Sequence, residues 1–241
     1  MSLMPRLWLI VPAAGQGRRM RASRPKQYLD LNGRPVLAHT LARLHRAYPQ
    51  ASLRLCLDEA DAWFDPAWVP FADWRRVPGG QERVDSVTRA LDDLAGIAGQ
   101  DDLVLVHDVA RPCVHVDDLT HLLGVLQDER VGALLAAPVA DTMKRADDQG
   151  RVAATESRDG LWHALTPQGF RYGMLCEALA TARRAGIAVT DEASAIEALG
   201  LAPRLVAARR DNLKITHPED LSLAALILEA QAQERDAAIE E

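Results

Sequence analysis

A small-residue segment, AAGQGRRM, follows the first apolar run of the chain, and its residue types suit phosphate binding. Gly15 and Gly17 let the backbone approach a ligand closely, so that successive amide N–H groups can face anionic oxygens. Neither common phosphate-loop pattern is complete, because no Gly-Lys-Ser/Thr follows and Met20 takes the place of the third glycine of GxGxxG. An oxidoreductase with a dinucleotide cofactor therefore loses its main support.

Basic side chains accompany this glycine loop, namely Arg18, Arg19 and, after a short turn, Lys26. Three cations beside a glycine loop indicate a polyphosphate ligand, since backbone amides and side-chain cations both favour anionic oxygens. The alternative is a solvated basic loop that binds nothing.

A polar cluster, HDVARP, follows a second buried run at residues 103–106. Ligand sites of open α/β sheets lie beyond the carboxyl ends of the strands, so His107, Asp108 and Arg111 stand where chemistry is expected. His107 directly follows a buried strand, and we interpret it as a structural residue. We therefore expect Asp108 and Arg111 to lie near the glycine loop.

Apolar runs of strand length alternate with helical patterns, which is typical of βαβ units. The pattern predicts a Rossmann-like α/β fold, with a mainly parallel sheet covered by helices on both faces, in one domain over residues 4–232. The predicted strands are 7–11, 52–57, 76–77, 103–106, 132–139, 204–207 and 212–215. The predicted helices are 35–48, 82–94, 119–126, 172–185, 191–199 and a last one from residue 218.

The alternation fails over residues 141–171, which are polar and contain the turn sequence DDQG. This composition predicts a β-hairpin arm that protrudes from the domain. Such an arm exposes Val152 and Trp162, and exposed apolar side chains of this size usually find a partner surface. The arm therefore predicts a homodimer.

Composition excludes several classes of protein. The 241 residues are 48% hydrophobic and 26% charged, which fits neither a disordered chain nor a fibrous repeat. The net charge of −6 argues against a general nucleic-acid binder, which needs a basic face. No apolar run approaches the roughly 18 residues of a membrane span, and the first apolar stretch is too short for a secretory signal. We expect a cytoplasmic protein with no membrane or nucleic-acid partner.

Three cysteines, Cys56, Cys113 and Cys176, lie far apart in the sequence. Their odd number and the absence of a CxxC motif or a His pair at ligand spacing indicate neither disulfides nor a structural zinc site. We interpret all three as reduced and mostly buried.

Eight strings in order resemble the 2-C-methyl-D-erythritol 4-phosphate cytidylyltransferases. They are AAGQGRRM, PKQYL, GGQERVDSV, HDVARP, DTMKR, RDGLWHALTPQ, TDEASA and DNLKIT. The resemblance runs from about residue 7 to about residue 228. This sequence departs from the family pattern at Gln81, where many relatives carry an acidic residue, and at Val109, where alanine is common.

The resemblance implies transfer of a cytidylyl group from CTP to 2-C-methyl-D-erythritol 4-phosphate, with release of pyrophosphate. Arg19, Lys26 and the loop amides would hold the triphosphate, and Lys214 would steady the α-phosphate. Magnesium would be held mainly by phosphate oxygens and water rather than by protein ligands. The nucleotide would lie against residues of two loops and one helix: Ala13, Ala14, Gly15, Gly17, Gly80, Gln81 and Ser86.

The resemblance also implies an acceptor site that two subunits share. Asp108 suits a polyol hydroxyl and Arg111 suits an anion, with a surface salt bridge between the two as the alternative. Thr142 and Arg158 lie on the predicted arm, which in the family crosses to the other subunit. Asp191 borders the site in the family, although a helix N-cap is the first interpretation of the TDE segment.

Two further hypotheses remain open from the sequence. A ribitol 5-phosphate cytidylyltransferase would use a similar fold and CTP site, and only the acceptor pocket would differ. A catalytically silent nucleotide-binding subunit would keep the glycine loop but lose the cations. Arg19, Lys26, Arg158 and Lys214 are all present, which argues against the silent subunit.

Overall fold

Strands and helices alternate along the computed structural model of the chain, which describes residues 5–15, 17–20 and 22–240. Its strands are β1 Leu7–Pro12, β2 Asp30–Leu31, β3 Arg34–Pro35, β4 Ser52–Leu57, β5 Trp74–Pro78, β6 Leu103–Val106, β7 Ala133–Pro138, β8 Met143–Ala146, β9 Val152–Glu156, β10 Trp162–Arg171 and β11 Arg204–Ala207. Its α-helices are α1 Val36–Ala47, α2 Arg83–Asp93, α3 Val116–Asp128, α4 Tyr172–Ala185, α5 Glu192–Glu197 and α6 Pro218–Glu240. None of the helices in these ranges is long and apolar enough to cross a membrane.

Seven strands form one sheet in the order β11-β7-β10-β6-β1-β4-β5. β1 pairs in parallel with β4 and β6, β4 with β5, and β7 with β11. Only β10 runs antiparallel to its neighbours among these described pairs. The predicted mainly parallel α/β fold is confirmed.

Both faces of the sheet are covered, which explains the continuous apolar runs in its strands. Along β1, Leu9 and Val11 face one core layer, whereas Trp8 and Ile10 face the other. Apolar side chains of α1 and α3 pack in the first layer, and those of α2, α4 and α5 pack in the second. Helix α6 packs in a smaller third cluster beside the start of α1.

The hairpin predicted between residues 141 and 171 is present, but it is shorter than predicted. β8 and β9 form an antiparallel pair whose residues are mostly exposed, and Val152 is 66% exposed. The predicted end at residue 171 is wrong, because β10 lies in the middle of the main sheet between β6 and β7. Residues 165–170 are buried there although several are polar, and this polarity hid the strand.

A β-bulge interrupts the pairing of β10 with β7. Residues 162–164 pair with one end of β7 and Gln168 and Gly169 with the other, and the register shifts between Ala164 and Gln168. Thr166 lies inside this irregularity, where its carbonyl accepts a hydrogen bond from the side chain of Asn212. The bulge thus frees Thr166 from the regular ladder.

The strand predicted at residues 212–215 is also wrong, because this segment adopts no regular structure. Its polar backbone groups bind separate partners rather than a neighbouring strand. Arg111 donates to the Asn212 carbonyl, Lys26 donates to the Ile215 carbonyl, and the Ile215 N–H donates to the Ala110 carbonyl. The segment therefore crosses the carboxyl edge of the sheet without joining it. The other predicted elements are confirmed to within a few residues of their ends.

Candidate active site

A cleft opens at the carboxyl edge of the sheet, where β1, β5 and β6 end. It is lined by Pro12, Ala13, Ala14, Gly15, Lys26, Gln27, Gly80, Gln81, Glu82, Arg83, Ser86, Asp108, Val109, Ala110 and Lys214. Because parallel strands end at the same edge, segments far apart in the sequence meet in this cleft. Most of the residues predicted for the nucleotide site are among them.

Two glycines permit close approaches that other residues would block. Gly17 has φ +60°, and a Cβ atom there would lie 2.9 Å from Cγ of Lys26. A Cβ atom on Gly79 would lie 2.1 Å from Cβ of Ala14. The glycines therefore let the loop after β1 pack against Lys26 on one side and against the loop after β5 on the other.

Gln27, which the sequence analysis did not single out, holds the glycine loop in place. Its buried side chain donates a 2.6 Å hydrogen bond to the carbonyl of Ala13, whose N–H donates to the Cys56 carbonyl. Both backbone groups of Ala13 are thus engaged within the protein. Ala13 contributes an apolar wall to the cleft, and Ala14 and Gly15 continue the lining toward solvent.

Lys26 reaches into the cleft, where Nζ donates a 2.8 Å hydrogen bond to the Ile215 carbonyl. Burial and, after it, the charge of Lys214 lower the pKa of Lys26 from 10.5 to about 8, although Asp108 opposes this shift. The ammonium is therefore mostly charged at pH 7 and loses its proton near pH 8. Arg19 is exposed and is not among the residues that line the cleft, but its charge also lowers the pKa of Lys26.

Asp108 is the centre of an ion-pair cluster. Its Oδ2 is 2.7 Å from Nζ of Lys214, and its Oδ1 accepts a 2.7 Å hydrogen bond from Nε of Arg83. Burial raises the pKa of Asp108, but Arg83 and Lys214 outweigh burial and hold it well below its usual range. The carboxylate is thus ionised and can only accept hydrogen bonds.

A buried hydrogen-bond chain fixes the backbone at Asp108. The Asp108 N–H donates to Oγ1 of Thr166, which lies 3.0 Å from Nδ1 of His107. Nε2 of His107 lies 3.2 Å from the carbonyl of Arg111. Burial lowers the pKa of His107 to about 4, so the ring is neutral at pH 7. The tautomer that satisfies these contacts carries its proton on Nε2, and the structural interpretation of His107 is confirmed.

Arg111 lies behind the cleft rather than in its lining. It is buried and donates a 2.6 Å hydrogen bond to the carbonyl of Asn212, while its Nε, 3.8 Å from Oδ2 of Asp108, has no hydrogen-bond partner in the described part of the chain.

Asp191 is the N-cap of α5. Its side chain accepts a hydrogen bond from the Ser194 N–H and another from the side-chain amide of Gln168. The N-cap interpretation of Asp191 is confirmed.

Thr142 and Arg158 lie at the exposed hairpin and do not line the cleft of their own chain. The guanidinium of Arg158 donates to the carbonyl of Ala140, at the base of the hairpin. The structure therefore does not bring these two predicted residues together with Lys26 and Lys214 within one chain.

Sequence reasoning missed Arg83 and Glu192, which connect two helices to Asp108. Nη1 and Nη2 of Arg83 lie 2.6 and 2.9 Å from the two carboxylate oxygens of Glu192. Both residues stand inside strings that carried the family resemblance, but Glu192 looked like an ordinary first-turn acid. A pairing across more than 100 positions has no local signal.

The residues of the cleft do not form a cage for a metal ion. Groups of three or more His, Cys, Asp or Glu side chains with metal-site geometry are absent from the described residues. Both oxygens of Asp108 are engaged by cations. A divalent cation here would need most of its oxygen ligands from a bound phosphate and from water.

The fold and the cleft together define a Rossmann-like nucleotidyltransferase, and comparisons with known proteins support this class. A family model described as 2-C-methyl-D-erythritol 4-phosphate cytidylyltransferase matches residues 7–230. The chain belongs to that family. It is therefore an enzyme of the cytidylyltransferase class.

Individual relatives agree with the family assignment. The chain is 68% identical to the 2-C-methyl-D-erythritol 4-phosphate cytidylyltransferase of Chromohalobacter salexigens over 97% of this chain and 94% of that protein. It is 50% identical to the enzyme of the same name from Dechloromonas aromatica, over 95% and 100% of the two chains. A crystal structure of 4-diphosphocytidyl-2C-methyl-D-erythritol synthase matches with a TM-score of 0.81 and 37% identity, over 94% and 100% of the two chains. The Francisella tularensis enzyme matches with a TM-score of 0.78 and 32% identity, over 92% and 99%.

Proposed function

We propose that this chain transfers the cytidylyl group of CTP to 2-C-methyl-D-erythritol 4-phosphate. An oxygen of the acceptor phosphate attacks the α-phosphorus of CTP, the bond from that phosphorus to the bridging oxygen of the β-phosphate breaks, and pyrophosphate leaves. The products are 4-diphosphocytidyl-2-C-methyl-D-erythritol and pyrophosphate, as in the isoprenoid-precursor step that the family performs. The observation that carries the proposal is the meeting of Lys26, Lys214 and Asp108 beside the glycine loop.

The reaction needs positioning and charge stabilisation more than proton transfer. The attacking phosphate is already anionic at neutral pH, so it needs no general base. Lys26, Arg19 and the loop amides would bind the triphosphate and stabilise the leaving pyrophosphate. Lys214 would move from Asp108 to the α-phosphate and balance the charge that grows there in the transition state.

In this proposal the nucleoside of CTP and the polyol of the acceptor lie against different walls of the cleft. The base and ribose lie against Ala14, Gly80, Gln81 and Ser86, where backbone groups can recognise the edge of cytosine. Ser86 supports this wall, because its hydroxyl accepts a 2.9 Å hydrogen bond from the Gly80 N–H. Asp108, ionised and oriented, accepts a hydrogen bond from a hydroxyl of the acceptor.

Magnesium enters as part of the nucleotide substrate in this proposal. Among the described residues the cleft offers no set of protein ligands for it, so the phosphate oxygens of CTP and water would complete its coordination. We assign no separate catalytic step to the ion.

We further propose that the chain works as a homodimer in which the hairpin arm of one subunit completes the cleft of the other. The proposal is supported by the exposure of the hairpin and of the apolar side chains Val152, Leu161 and Trp162. Thr142 and Arg158 would then add a hydroxyl and a cation to the acceptor side of the partner's cleft. Arg111 and Asp191 would support the acceptor wall from within.

The proposal predicts acceptor-dependent release of pyrophosphate. Purified protein with magnesium and CTP should release pyrophosphate with methylerythritol phosphate, and much less with ribitol 5-phosphate or when ATP replaces CTP. A coupled pyrophosphate assay with each acceptor in turn measures this. Equal or faster turnover of ribitol 5-phosphate would assign the chain to that reaction instead. Tight CTP binding without turnover of any acceptor would favour a catalytically silent subunit.

The pKa of Lys26 predicts how CTP binding depends on pH. The triphosphate binds the charged ammonium, and this form is lost as the pH rises through about 8. We expect the dissociation constant for CTP, measured by calorimetry, to be flat from pH 7 to near 8 and then to rise by up to about tenfold per pH unit.

Lys26→Arg is the matched variant for this measurement, because a guanidinium remains charged throughout the range. The inflection near pH 8 should disappear in the variant even though its turnover is impaired. An identical inflection in both proteins would mean that another group causes it.

A further inference from the structure

Arg83 connects two buried carboxylates across the back of the cleft. Its Nε donates a 2.7 Å hydrogen bond to Oδ1 of Asp108, and its two terminal nitrogens form a pair of ion-pair contacts with Glu192. Arg83 begins α2 and Glu192 begins α5, so this bridge joins two helices to the end of β6.

We propose that Glu192 is a positioning residue, which acts through Arg83 to set the orientation in which Asp108 receives a hydroxyl of the acceptor. Glu192 is 1% exposed and does not line the cleft, so it cannot touch a substrate itself. The inference rests on the proposed function, because it assigns Asp108 to the acceptor.

The geometry of the guanidinium explains how Glu192 acts. A guanidinium presents its five N–H donors in one rigid plane. Glu192 accepts one N–H from each terminal nitrogen, which fixes the plane of the guanidinium, and in that plane Nε is the Arg83 nitrogen that donates to Asp108. Each oxygen of Asp108 then accepts from one cation, Arg83 on Oδ1 and Lys214 on Oδ2, and retains an accepting direction for a substrate hydroxyl.

Without the charge of Glu192, the terminal nitrogens of Arg83 would be free to turn toward Asp108. A bidentate arginine pair with Asp108 would cover both of its oxygens and compete with Lys214 and the substrate. Glu192 therefore keeps Arg83 from becoming a full partner of Asp108.

Docking of α5 does not depend on Glu192 alone. The side chain of Gln168, on β10, donates to the carboxylate of Asp191 and accepts from the N–H of Ala193. Ala193, Ala195 and Ile196 are buried in the core layer below. Neutralising Glu192 should therefore leave the helix in place, which separates a positioning role from a purely structural one.

The first test is Glu192→Gln, which keeps the shape of the side chain and removes its charge. We expect kcat/KM for methylerythritol phosphate to fall by about tenfold or more, mainly through KM of the acceptor. The dissociation constant for CTP should stay within about twofold and the melting temperature near that of the unchanged protein. The matched control is Glu197→Gln, which makes the same change at an exposed position of the same helix and should alter none of these values.

A second test uses the pH profile of kcat/KM for the acceptor, which a merely structural role would not move. The charged and titratable groups that face Asp108 are Arg83, Lys214, Arg111, His107, Lys26 and, through Arg83, Glu192. Arg83→Gln removes the cation that lowers the pKa of Asp108 most strongly, so the acid limb that Asp108 contributes to the profile should move to higher pH. Glu192→Gln removes a negative charge instead, so its acid limb should not move up.

The outcomes separate the inference from the function on which it rests. If the unchanged protein does not use methylerythritol phosphate, the proposed function fails and the inference fails with it. If that protein is active and Glu192→Gln leaves acceptor kinetics unchanged, or weakens CTP binding and acceptor use equally, the inference alone is overturned. Should Glu192→Gln fail to fold, the double variant Arg83→Gln with Glu192→Gln replaces the ion pair by two paired amides. That variant must then show the raised acid limb and the selective loss of acceptor use.

Discussion

Lys26→Ala should lower turnover by about 100-fold or more, the effect expected for the loss of one preorganised donor to the transition state. Nζ of Lys26 lies in the cleft beside Lys214, where it would meet the triphosphate and the leaving pyrophosphate. The substitution removes one hydrogen bond, to the Ile215 carbonyl, which stabilises the fold by only about 1 kcal/mol. Steady-state pyrophosphate release measures the effect, and circular dichroism checks that the fold persists.

Arg19→Ala should give a loss of about the same size, again with the fold intact, because the loop cations share the triphosphate. The matched control is Arg46→Ala, which removes an exposed arginine from α1, outside the cleft. Turnover near that of the unchanged protein in both Lys26→Ala and Arg19→Ala would show that the glycine loop is only a solvated basic turn.

Two inactive variants should restore activity when their subunits are mixed. If the arm crosses to the partner, Arg158→Ala damages the cleft of the neighbouring chain, whereas Lys26→Ala damages its own. A mixed dimer then contains one cleft with both lesions and one with neither. Random reassortment makes about half of the dimers mixed, each with one intact cleft of two, so activity should recover to roughly a quarter of the unchanged protein.

The mixing experiment needs its own controls. Each variant is dissociated and reassociated alone, which should leave it nearly inactive, and exchange of subunits is followed with a label on one variant. If exchange occurs without recovery, Arg158 acts within its own chain or the arm does not cross.

Sequence patterns predicted the parts of the fold that depend on local, repeated signals. The strands Ser52–Leu57 and Leu103–Val106 and the helix Tyr172–Ala185 agree with the prediction, because continuous apolar runs and helical periodicity are local properties. The strand Trp162–Arg171 was not predicted, because its buried stretch contains Thr166 and Gln168, whose polar groups bind partners far away in the sequence.

Two shorter segments also differ from the prediction. The segment 212–215 has the alternation of a strand, yet its backbone groups bind side chains and loops rather than a neighbouring strand. The small β2–β3 hairpin was missed although Asn32-Gly33, with φ of 51° and 80°, is a recognisable hairpin turn.

For the candidate site, residue types and strand ends predicted the glycine loop, Lys26 and Asp108, and the family resemblance added Lys214 and the loop at Gly80. The glycine loop, Lys26, Asp108 and Lys214 all line it or lie at its edge. The sequence could not show which charges pair, because Arg83 and Glu192 stand 109 positions apart. It also could not show that Arg111 is turned inward to the Asn212 carbonyl.

The bulge in β10 separates two parts of the strand that have different roles. On one side of it, residues 162–164 anchor the root of the hairpin to β7; on the other, Gln168 and Gly169 are fastened between β6 and β7. Thr166, at the irregularity, contacts both Asp108 and His107. A shift of register at the hairpin root can be absorbed at the bulge before it reaches Gln168 and Gly169. The hairpin can therefore shift at its root to meet the proposed partner subunit while Asp108 and His107 stay in place beneath it.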